Sequence, residues 1–240
     1  MTNNEERKKV MPEAQELRIS SLSDLAELEN SFNYNIKHIA SKRGFDILFS
    51  LVCLIVGLPL YFFIAFALFL SSPGSVIYRH QRVGRGGKFF YCYKFRTMHR
   101  DADRRLQELL AEDLLVKQEW QTSFKLKNDP RVTKLGSFLR KTSLDELPQF
   151  WNVLKGDLSV VGPRPVVKEE IETHYGEKAH KILSVRPGLT GLWQVSGRSN
   201  CSYKERIYLD ERYLESLSFI GDLKLILKTI PAMISSKGAY

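Results

Sequence analysis

A long apolar run dominates the pattern of hydrophobic and polar positions along the chain. The 24 positions 47–70 carry no charged side chain. As one straight helix this run would be about 36 Å long, which exceeds the roughly 30 Å hydrocarbon core of a bilayer. A membrane-spanning helix is therefore the simplest interpretation.

A proline in the middle of the run, Pro59, points to a different path through the membrane. Proline removes a helical hydrogen bond and crowds the preceding turn, so it favours a break. Cations flank both ends of the run: Lys37, Lys42 and Arg43 precede it, and Arg79, Arg82, Arg85 and Lys88 follow it. Positive charge marks the cytoplasmic side of a membrane segment. The residues predict either a tilted span or a re-entrant helix, break, helix anchor over residues 37–74.

Residues 1–36 precede this anchor and are polar, with few apolar positions. Their composition predicts a flexible segment that contains a short amphipathic helix near residues 23–30. The segment lacks the apolar stretch of a secretory signal peptide. We expect a compact protein without a long or multispanning domain ahead of the anchor.

The first part of residues 75–240, which we predict to form a cytoplasmic domain, has the pattern of a β-hairpin. Residues 75–84 and 89–98 form short runs of strand-forming residues, separated by Arg85, Gly86 and Gly87. Aromatic residues and cations alternate in this hairpin. Beside a membrane segment, that mixture is more typical of an interfacial anchor than of a nucleic-acid platform.

Helical periodicity dominates the remainder of this domain. Residues 101–119 and 203–217 carry apolar stripes among charged positions. Residues 219–231 are amphipathic and basic, and are too short and too charged to span a membrane, which predicts a helix lying in the membrane interface. A core helix is the alternative. The expected fold class is α+β and predominantly helical, with a small β-hairpin and interfacial helices around a cytoplasmic active site.

Composition narrows the classes of function without choosing among them. The chain has 240 residues, 43% of them hydrophobic, and a net charge of +9, which suits nucleic acid, an anionic membrane or phosphorylated substrates. The three cysteines, Cys53, Cys92 and Cys201, are odd in number and lack metal-binding spacing. They indicate neither a disulfide framework nor a zinc site, and favour a reducing cytoplasm.

Asp145 and Glu146 are the candidate reaction centre. Neighbouring carboxylates push their pKa values apart and can divide the roles of nucleophile, acid or base, and metal ligand. The alternative is structural: Thr142 or Ser143 would cap a helix, and the two carboxylates would complement its dipole in the first turn.

Cations near this pair could hold phosphate oxygens. Arg140 and Lys141 precede the pair, and Arg164 follows it between Pro163 and Pro165, which fix its backbone or make a rigid turn. A later glycine-rich stretch carries Arg186, Trp193, Gln194 and Arg198. Its glycines permit close backbone approach to a ligand, whereas Trp193 fits a core position as well as a stacking one.

Several separate motifs, in order, resemble those of the bacterial sugar transferases, the monotopic phosphoglycosyl transferases. The resemblance runs from about Lys42 to the C-terminus. The matching stretches are Lys94-Phe95-Arg96-Thr97-Met98, Asn128-Asp129-Pro130-Arg131, the run from Leu139 to Pro165 and the run from Val185 to Arg198. Members of this family are anchored by a re-entrant hairpin, so the resemblance favours a break at Pro59.

The resemblance implies an activity and assigns roles to individual residues. Asp145 would attack the sugar-proximal phosphate of a UDP-sugar, release UMP and carry the phosphosugar until polyprenyl (undecaprenyl) phosphate accepts it. Glu146 would assist as a base or, with Asp145, as a ligand to Mg²⁺. The remaining matching residues would contact substrate: Arg140, Lys141, Pro163, Arg164, Pro165, Arg186, Gln194 and Arg198.

These implications predict a monotopic enzyme on the cytoplasmic face of a bacterial inner membrane. Its partners would be a UDP-sugar, polyprenyl phosphate and membrane lipid, without nucleic acid, and a homodimer is compatible with the family. It would initiate the synthesis of a cell-surface glycan such as O-antigen, capsule or exopolysaccharide. The ending of the chain resembles the galactose and glucose branch. Two rival hypotheses are a non-enzymatic membrane adaptor and a transferase that forms a glycosidic bond.

Overall fold

The computed structural model describes residues 36–71, 74–123, 126, 128–197 and 201–234. The predicted flexible segment before Ile36, with its short helix, lies outside this range. So does Arg198. The expected predominance of helices is confirmed, and the strands form two small sheets.

Helix α1, Ile36–Ser71, contains the apolar run as one continuous element. The residues left a tilted span and a break at Pro59 open, and the family resemblance favoured the break, whereas the structure continues the helix through Pro59. Loss of one N–H donor removes one backbone hydrogen bond, and the flanking residues still keep helical geometry. Most large apolar side chains between Ile47 and Leu70 are exposed. Within the described chain one helix, Ser41–Ser71, is long and apolar enough to cross a membrane.

The predicted β-hairpin is present. Strands β1, Ile77–Val83, and β2, Phe89–Phe95, pair antiparallel and are joined by the 3₁₀ turn Arg85–Gly87. Gly86 in this turn has a φ of 66°, a left-handed conformation that glycine adopts without strain. The hairpin places Phe90 and Cys92 of β2 in the core, together with Val83 at the end of β1.

Helices and short strands follow in sequence. They are α2 (Ala102–Glu112), α3 (Leu114–Ser123), α4 (Lys134–Lys141), α5 (Gln149–Lys155), β3 (Ser159–Val161), α6 (Lys168–Glu170), α7 (Lys178–Leu183), β4 (Gly188–Thr190), α8 (Leu192–Ser196), α9 (Tyr203–Glu215) and α10 (Phe219–Ile234). A π-helical turn, Ile171–Tyr175, extends α6. Where one helix was predicted over 101–119, the structure has two, because Asp113 interrupts the run and its carboxylate accepts the N–H of Leu115.

Strands β3 and β4 form a parallel pair in the middle of the domain. The main core surrounds this pair and includes fully buried Val153, Leu158 and Val161. A second apolar cluster joins the anchor to the hairpin and to α4: Ile64, Leu68, Phe95 and Leu139. Leu144 and Leu147, which flank the carboxylate pair, pack against this second cluster. The anchor thus directly supports the candidate reaction centre.

Both halves of α1 also make polar contacts with the domain. Near its start, Arg43 donates to the carbonyl oxygens of Val153 and Leu154, at 2.7 and 3.0 Å. Farther along, the Tyr61 hydroxyl donates to the carbonyl oxygen of Leu147 at 2.7 Å. These acceptors lie at α5 and just before it, so the anchor is fixed to one small region of the domain.

Helix α10 has one packed face and one exposed apolar face. Asp222 and Leu225 are buried against the domain. The opposite face exposes Phe219, Ile220, Leu223, Leu227 and Ile230. This division agrees with the amphipathic pattern that the sequence predicted. A continuous row of large apolar side chains is rarely exposed to water, so the exposed face is suited to contact with lipid or a partner.

Candidate active site

The carboxylate pair lies on a separate turn between two helices. Helix α4 ends at Lys141, and Asp145 and Glu146 occupy the 3₁₀ turn Leu144–Glu146 before α5 begins at Gln149. The residue before the turn, Ser143, has a φ of 56° and makes no capping hydrogen bond through its side chain. The structural alternative is thus wrong in its cap, since neither Thr142 nor Ser143 caps this turn through its side chain, although both carboxylates do lie in the first turn. A non-glycine residue in the left-handed region stores strain that is common at functional sites.

Asp145 is almost completely buried, with 7% of its surface exposed. Burial raises its pKa to about 6, and the neighbouring Glu146 charge adds to the increase. Lys94 and Arg140 oppose it by favouring the ionised form. Near neutral pH the side chain is thus a poorly hydrated carboxylate among cations.

Glu146 is held by a lysine that sequence reasoning did not select. The Lys94 Nζ lies 2.6 Å from the Glu146 Oε1. Burial acts to lower the pKa of Lys94, but Glu146 and Asp145 outweigh that effect and the pKa is raised. Lys94 therefore stays charged and faces both carboxylates.

Arg140, the predicted phosphate-binding residue of α4, also lies at this turn. Its Nε donates to the Thr97 Oγ1 at 2.9 Å, and Thr97 is buried after strand β2. Burial lowers the pKa of Arg140, while the charges of Asp145 and Asp129 act in the opposite direction. The structure thus brings Arg140 and Asp145 together, as the sequence predicted.

A second arginine, Arg82 of β1, links the carboxylate pair to the predicted Pro163, Arg164, Pro165 corner. Its Nη1 donates to the carbonyl oxygen of Pro165 at 3.5 Å. Burial lowers the pKa of Arg82, and the charge of Arg164 lowers it further, while Glu146 acts to raise it. The charge of Arg82 therefore interacts with both Glu146 and Arg164. Together with Lys94, which contacts Glu146, these two arginines make up what we call the row of cations.

The other predicted substrate-binding residues that the structure describes make contacts away from the carboxylate turn or are exposed. The Arg186 Nε donates to the carbonyl oxygen of Gly156 at 2.9 Å, beyond the far end of α5 from the carboxylate turn. Gln194 contacts the carbonyl oxygen of Leu189 at 3.4 Å. Lys141 is exposed at the end of α4. Pro163 is buried, and its carbonyl oxygen accepts the N–H of Gly188 at 2.7 Å, so it holds two loops together.

From the sequence, Asp210 is expected on a solvated face of its helix, with an approach to the site as the alternative, and the structure contradicts the first of these. Asp210 is 0% exposed, and its Oδ2 accepts the backbone N–H of Arg164 at 3.2 Å. Sequence reasoning also missed Lys94 and Arg82. A signal existed for Lys94: it alternates with Phe90 and Cys92 along β2, and so falls on the buried face of a half-buried strand. A charge on that face needs a partner.

Magnesium was expected at Asp145 and Glu146. No group of three or more His, Cys, Asp or Glu side chains suited to a metal occurs among the residues that the structure describes. Mg²⁺ commonly needs only one or two carboxylates, with phosphate oxygens and water completing its shell. Two adjacent carboxylates are compatible with that donor set.

An apolar anchor beneath a carboxylate pair, with a row of cations beside it, defines a membrane-associated protein suited to phosphorylated substrates. The family model for bacterial sugar transferases matches residues 37–236, and the chain belongs to that family. The resemblance predicted from the motifs is therefore confirmed.

Named relatives support this assignment. The chain is 48% identical over 199 residues to an undecaprenyl-phosphate galactose phosphotransferase of Salmonella typhimurium, covering 83% of this chain and 41% of that protein. It is 48% identical over 200 residues to the exopolysaccharide production protein ExoY of Sinorhizobium fredii, covering 83% and 88%. It is 39% identical over 206 residues to a UDP-glucose:undecaprenyl-phosphate glucose-1-phosphate transferase of Escherichia coli, covering 83% and 41%. The chain thus spans less than half of two relatives and most of the third.

Proposed function

We propose that this protein transfers a sugar 1-phosphate from a UDP-sugar to a polyprenyl phosphate, as the first membrane step of a cell-surface glycan. The observation that carries this proposal is the buried Asp145 carboxylate facing Lys94 and Arg140. The relatives' names, which specify undecaprenyl phosphate with galactose or glucose, support the substrate classes.

The reaction divides into two phosphoryl transfers. An Asp145 carboxylate oxygen forms a bond to the sugar-proximal phosphorus, while the bond from that phosphorus to the bridging oxygen breaks and UMP leaves. A phosphate oxygen of the lipid then attacks the same phosphorus and frees the Asp145 carboxylate. Neither step moves a proton when the lipid phosphate attacks as a dianion; a lipid phosphate that is still protonated would give its proton to Glu146 in the base role. A covalent intermediate splits one difficult transfer into two easier ones.

Cations make this attack feasible, because a carboxylate and a diphosphate repel each other. Lys94, Arg82 and Arg164 are placed to neutralise phosphate oxygens, and guanidinium groups bind them in bidentate fashion. Ionised Asp145 is required, so activity declines as the pH falls through about 6. Burial leaves its carboxylate with little hydration to lose before attack.

Glu146 takes one of two roles in this scheme, metal ligand or base. Its contact with Lys94 leaves one oxygen engaged with a cation. Asp145 and the other Glu146 oxygen would hold Mg²⁺, which supplies charge neutralisation at the diphosphate when bound. Of the two roles, the ligand role suits a carboxylate that lies beside both a nucleophile and bound phosphates.

The contacts of α1 favour a re-entrant path for the anchor. In a straight helix, Arg43 and Tyr61 would be about 27 Å apart. Their acceptors, Val153 and Leu147, are only six residues apart along a largely helical stretch, roughly 10 Å. A bend near Pro59 would bring both halves of α1 onto this common surface. The exposed apolar face of α10 would then lie in the same interface.

The deciding experiment measures UMP release from a panel of UDP-sugars by purified protein with Mg²⁺ and undecaprenyl phosphate. Wild type should release UMP and form a lipid-linked diphosphate sugar, while Asp145→Asn should do neither. Asp101→Asn, which changes an exposed carboxylate outside the site, should match wild type. Release of UDP would instead show glycosidic transfer. Absence of turnover with every UDP-sugar would favour the adaptor hypothesis.

A further inference from the structure

Asp210 is the least exposed carboxylate near the row of cations. It lies on α9, outside the carboxylate turn, and is 0% exposed. Its Oδ2 accepts the backbone N–H of Arg164 at 3.2 Å, and its Oδ1 has no partner among the residues described. Burying a carboxylate with an unsatisfied oxygen costs free energy, so the placement calls for a compensating role.

Arg164 is held on several sides by the same cluster. Its Nη2 lies 3.6 Å from the Glu170 Oε1, and its guanidinium stacks 4.9 Å from the centre of the Trp193 ring. Arg206 lies 5.4 Å from the same ring. Within the described chain, the Arg164 Nε, the Glu170 Oε2 and the Trp193 Nε1 are buried without hydrogen-bond partners. Polar atoms that lack partners are thus concentrated around this one arginine.

The corner that carries Arg164 is fixed through its backbone. The Pro163 carbonyl oxygen accepts from Gly188, and the Pro165 carbonyl oxygen accepts from Arg82. Asp210 supplies the bond to the residue between them. All three positions of the corner are therefore anchored, and the one bond that involves an ionisable acceptor is made by Asp210.

We propose that Asp210 is a positioning residue, which orients Arg164 toward the donor diphosphate without touching substrate itself. This inference rests on the proposed function, because it assigns Arg164 to the diphosphate of a UDP-sugar. Asp210 acts through the Arg164 backbone and through its charge beside the cation cluster.

The charge of Asp210 gives this role a pH dependence. Burial raises the pKa of Asp210 to about 7, against the opposing effects of the Arg164 N–H and the Arg164 and Arg206 charges. Tyr175, Glu170, Tyr203 and Arg82 are further ionisable groups of this cluster. An ionised acceptor makes a stronger hydrogen bond than a neutral one. The contribution of Asp210 should therefore grow as the pH rises through about 7.

The test is a double-mutant cycle between Asp210→Asn and Arg164→Ala, assayed by UMP release. Asparagine keeps the size and an acceptor but removes the charge. We expect Asp210→Asn to raise the KM for UDP-sugar about tenfold, with a smaller change in kcat. In the Arg164→Ala background, Asp210→Asn should change this KM less than about twofold, since the effects of coupled residues are not additive. Glu215→Gln, which removes an exposed carboxylate from the same helix, should leave both constants unchanged.

The pH profile provides the second readout. The ratio of wild-type to Asp210→Asn kcat/KM should rise between pH 6 and 8, whereas the ratio to Glu215→Gln should be flat. The inference would be overturned if Asp210→Asn raised the KM for UDP-sugar equally with and without Arg164, or left that KM unchanged. If Asp210→Asn does not fold, Asp210→Ser leaves room for water and enters the same cycle. Failure of wild type to release UMP would instead overturn the proposed function.

Discussion

The Lys94 Nζ lies 2.6 Å from the Glu146 Oε1 and joins strand β2 to the carboxylate turn. The two residues are 52 positions apart in the chain. The contact fixes the second carboxylate of the pair and places a permanent cation beside the first. The hairpin is thus part of the reaction centre, although the sequence indicated only an interfacial anchor.

Replacement of this lysine by methionine tests the cation's role. Lys94→Met removes the charge that favours ionised Asp145, so the pKa of Asp145 should rise above its value of about 6. The acid limb of the pH–rate profile should move to higher pH. UMP release at pH 7 should fall by about 10²-fold or more, because a preorganised charge at the phosphate is lost.

Lys88→Met is the matched control for that change. Lys88 is exposed in the turn of the same hairpin. Its replacement removes one positive charge from the protein without removing a neighbour of Asp145, so the profile should not move. Identical profiles for Lys94→Met and wild type would contradict the assigned role.

The buried ion pair between Lys42 and Asp222 predicts a stability effect. The Lys42 Nζ lies 2.6 Å from the Asp222 Oδ2, and the Tyr213 hydroxyl donates to the Asp222 Oδ1 at 2.9 Å. Asp222→Ala leaves the lysine without its partner, which typically costs about 3–5 kcal/mol at a buried site. The melting temperature of the detergent-purified protein should fall markedly.

Asp101→Ala gives the comparison for a surface pair. Asp101 contacts Arg104 and Arg105 near the start of α2, where Arg104 is exposed and Arg105 is partly exposed. Exposed ion pairs contribute little, because water screens them. Equal melting temperatures for Asp101→Ala and Asp222→Ala would show that the buried pair does not fix the anchor.

Pro59→Ala tests the re-entrant path. In a protein whose native cysteines are replaced by serine, Ser41→Cys marks the start of α1. We expect an impermeant maleimide to label this cysteine only after the inner membrane is opened. Pro59→Ala restores a backbone N–H and favours a straight helix, so it should allow labelling in intact spheroplasts. Leu58→Ala is the control and should behave as the parent protein.

Labelling of Ser41→Cys in intact spheroplasts without the proline change would establish a membrane span. If the cysteine is not labelled in intact spheroplasts of either the parent or Pro59→Ala, contacts other than the proline determine the path of the anchor. The Tyr61 hydrogen bond to Leu147 is one such contact in the second half of α1.

Asp210 also predicts how stability varies with pH. Its pKa is about 7 in the folded protein and near 3.8 when unfolded, so the native state binds the extra proton between these values. Stability should therefore fall as the pH rises through this window. Asp210→Asn should remove this contribution, on the order of a few kcal/mol. Melting temperatures at pH 5 and pH 8 should differ less in the variant than in wild type, and parallel changes would contradict the assignment.

Much of the site was predictable where the signal is local. Asp145 and Glu146 are adjacent in sequence, and Arg140 lies only five positions before Asp145, so chain connectivity keeps them close. The hairpin was predictable because two runs of strand-forming residues flank a pair of glycines. Arg186 donates to the carbonyl oxygen of Gly156, away from the carboxylate turn, and its role in substrate binding stays a prediction.

Periodicity and neighbouring residues encode the apolar anchor, the hairpin, the carboxylate pair and the family, so these features could be read from the amino-acid sequence. Which charges meet depends on the packed fold. Lys94 with Glu146, Arg164 with Asp210 and Lys42 with Asp222 are separated by 52, 46 and 180 positions. A buried charge must find a partner wherever the packed backbone places one, and no local pattern specifies that choice.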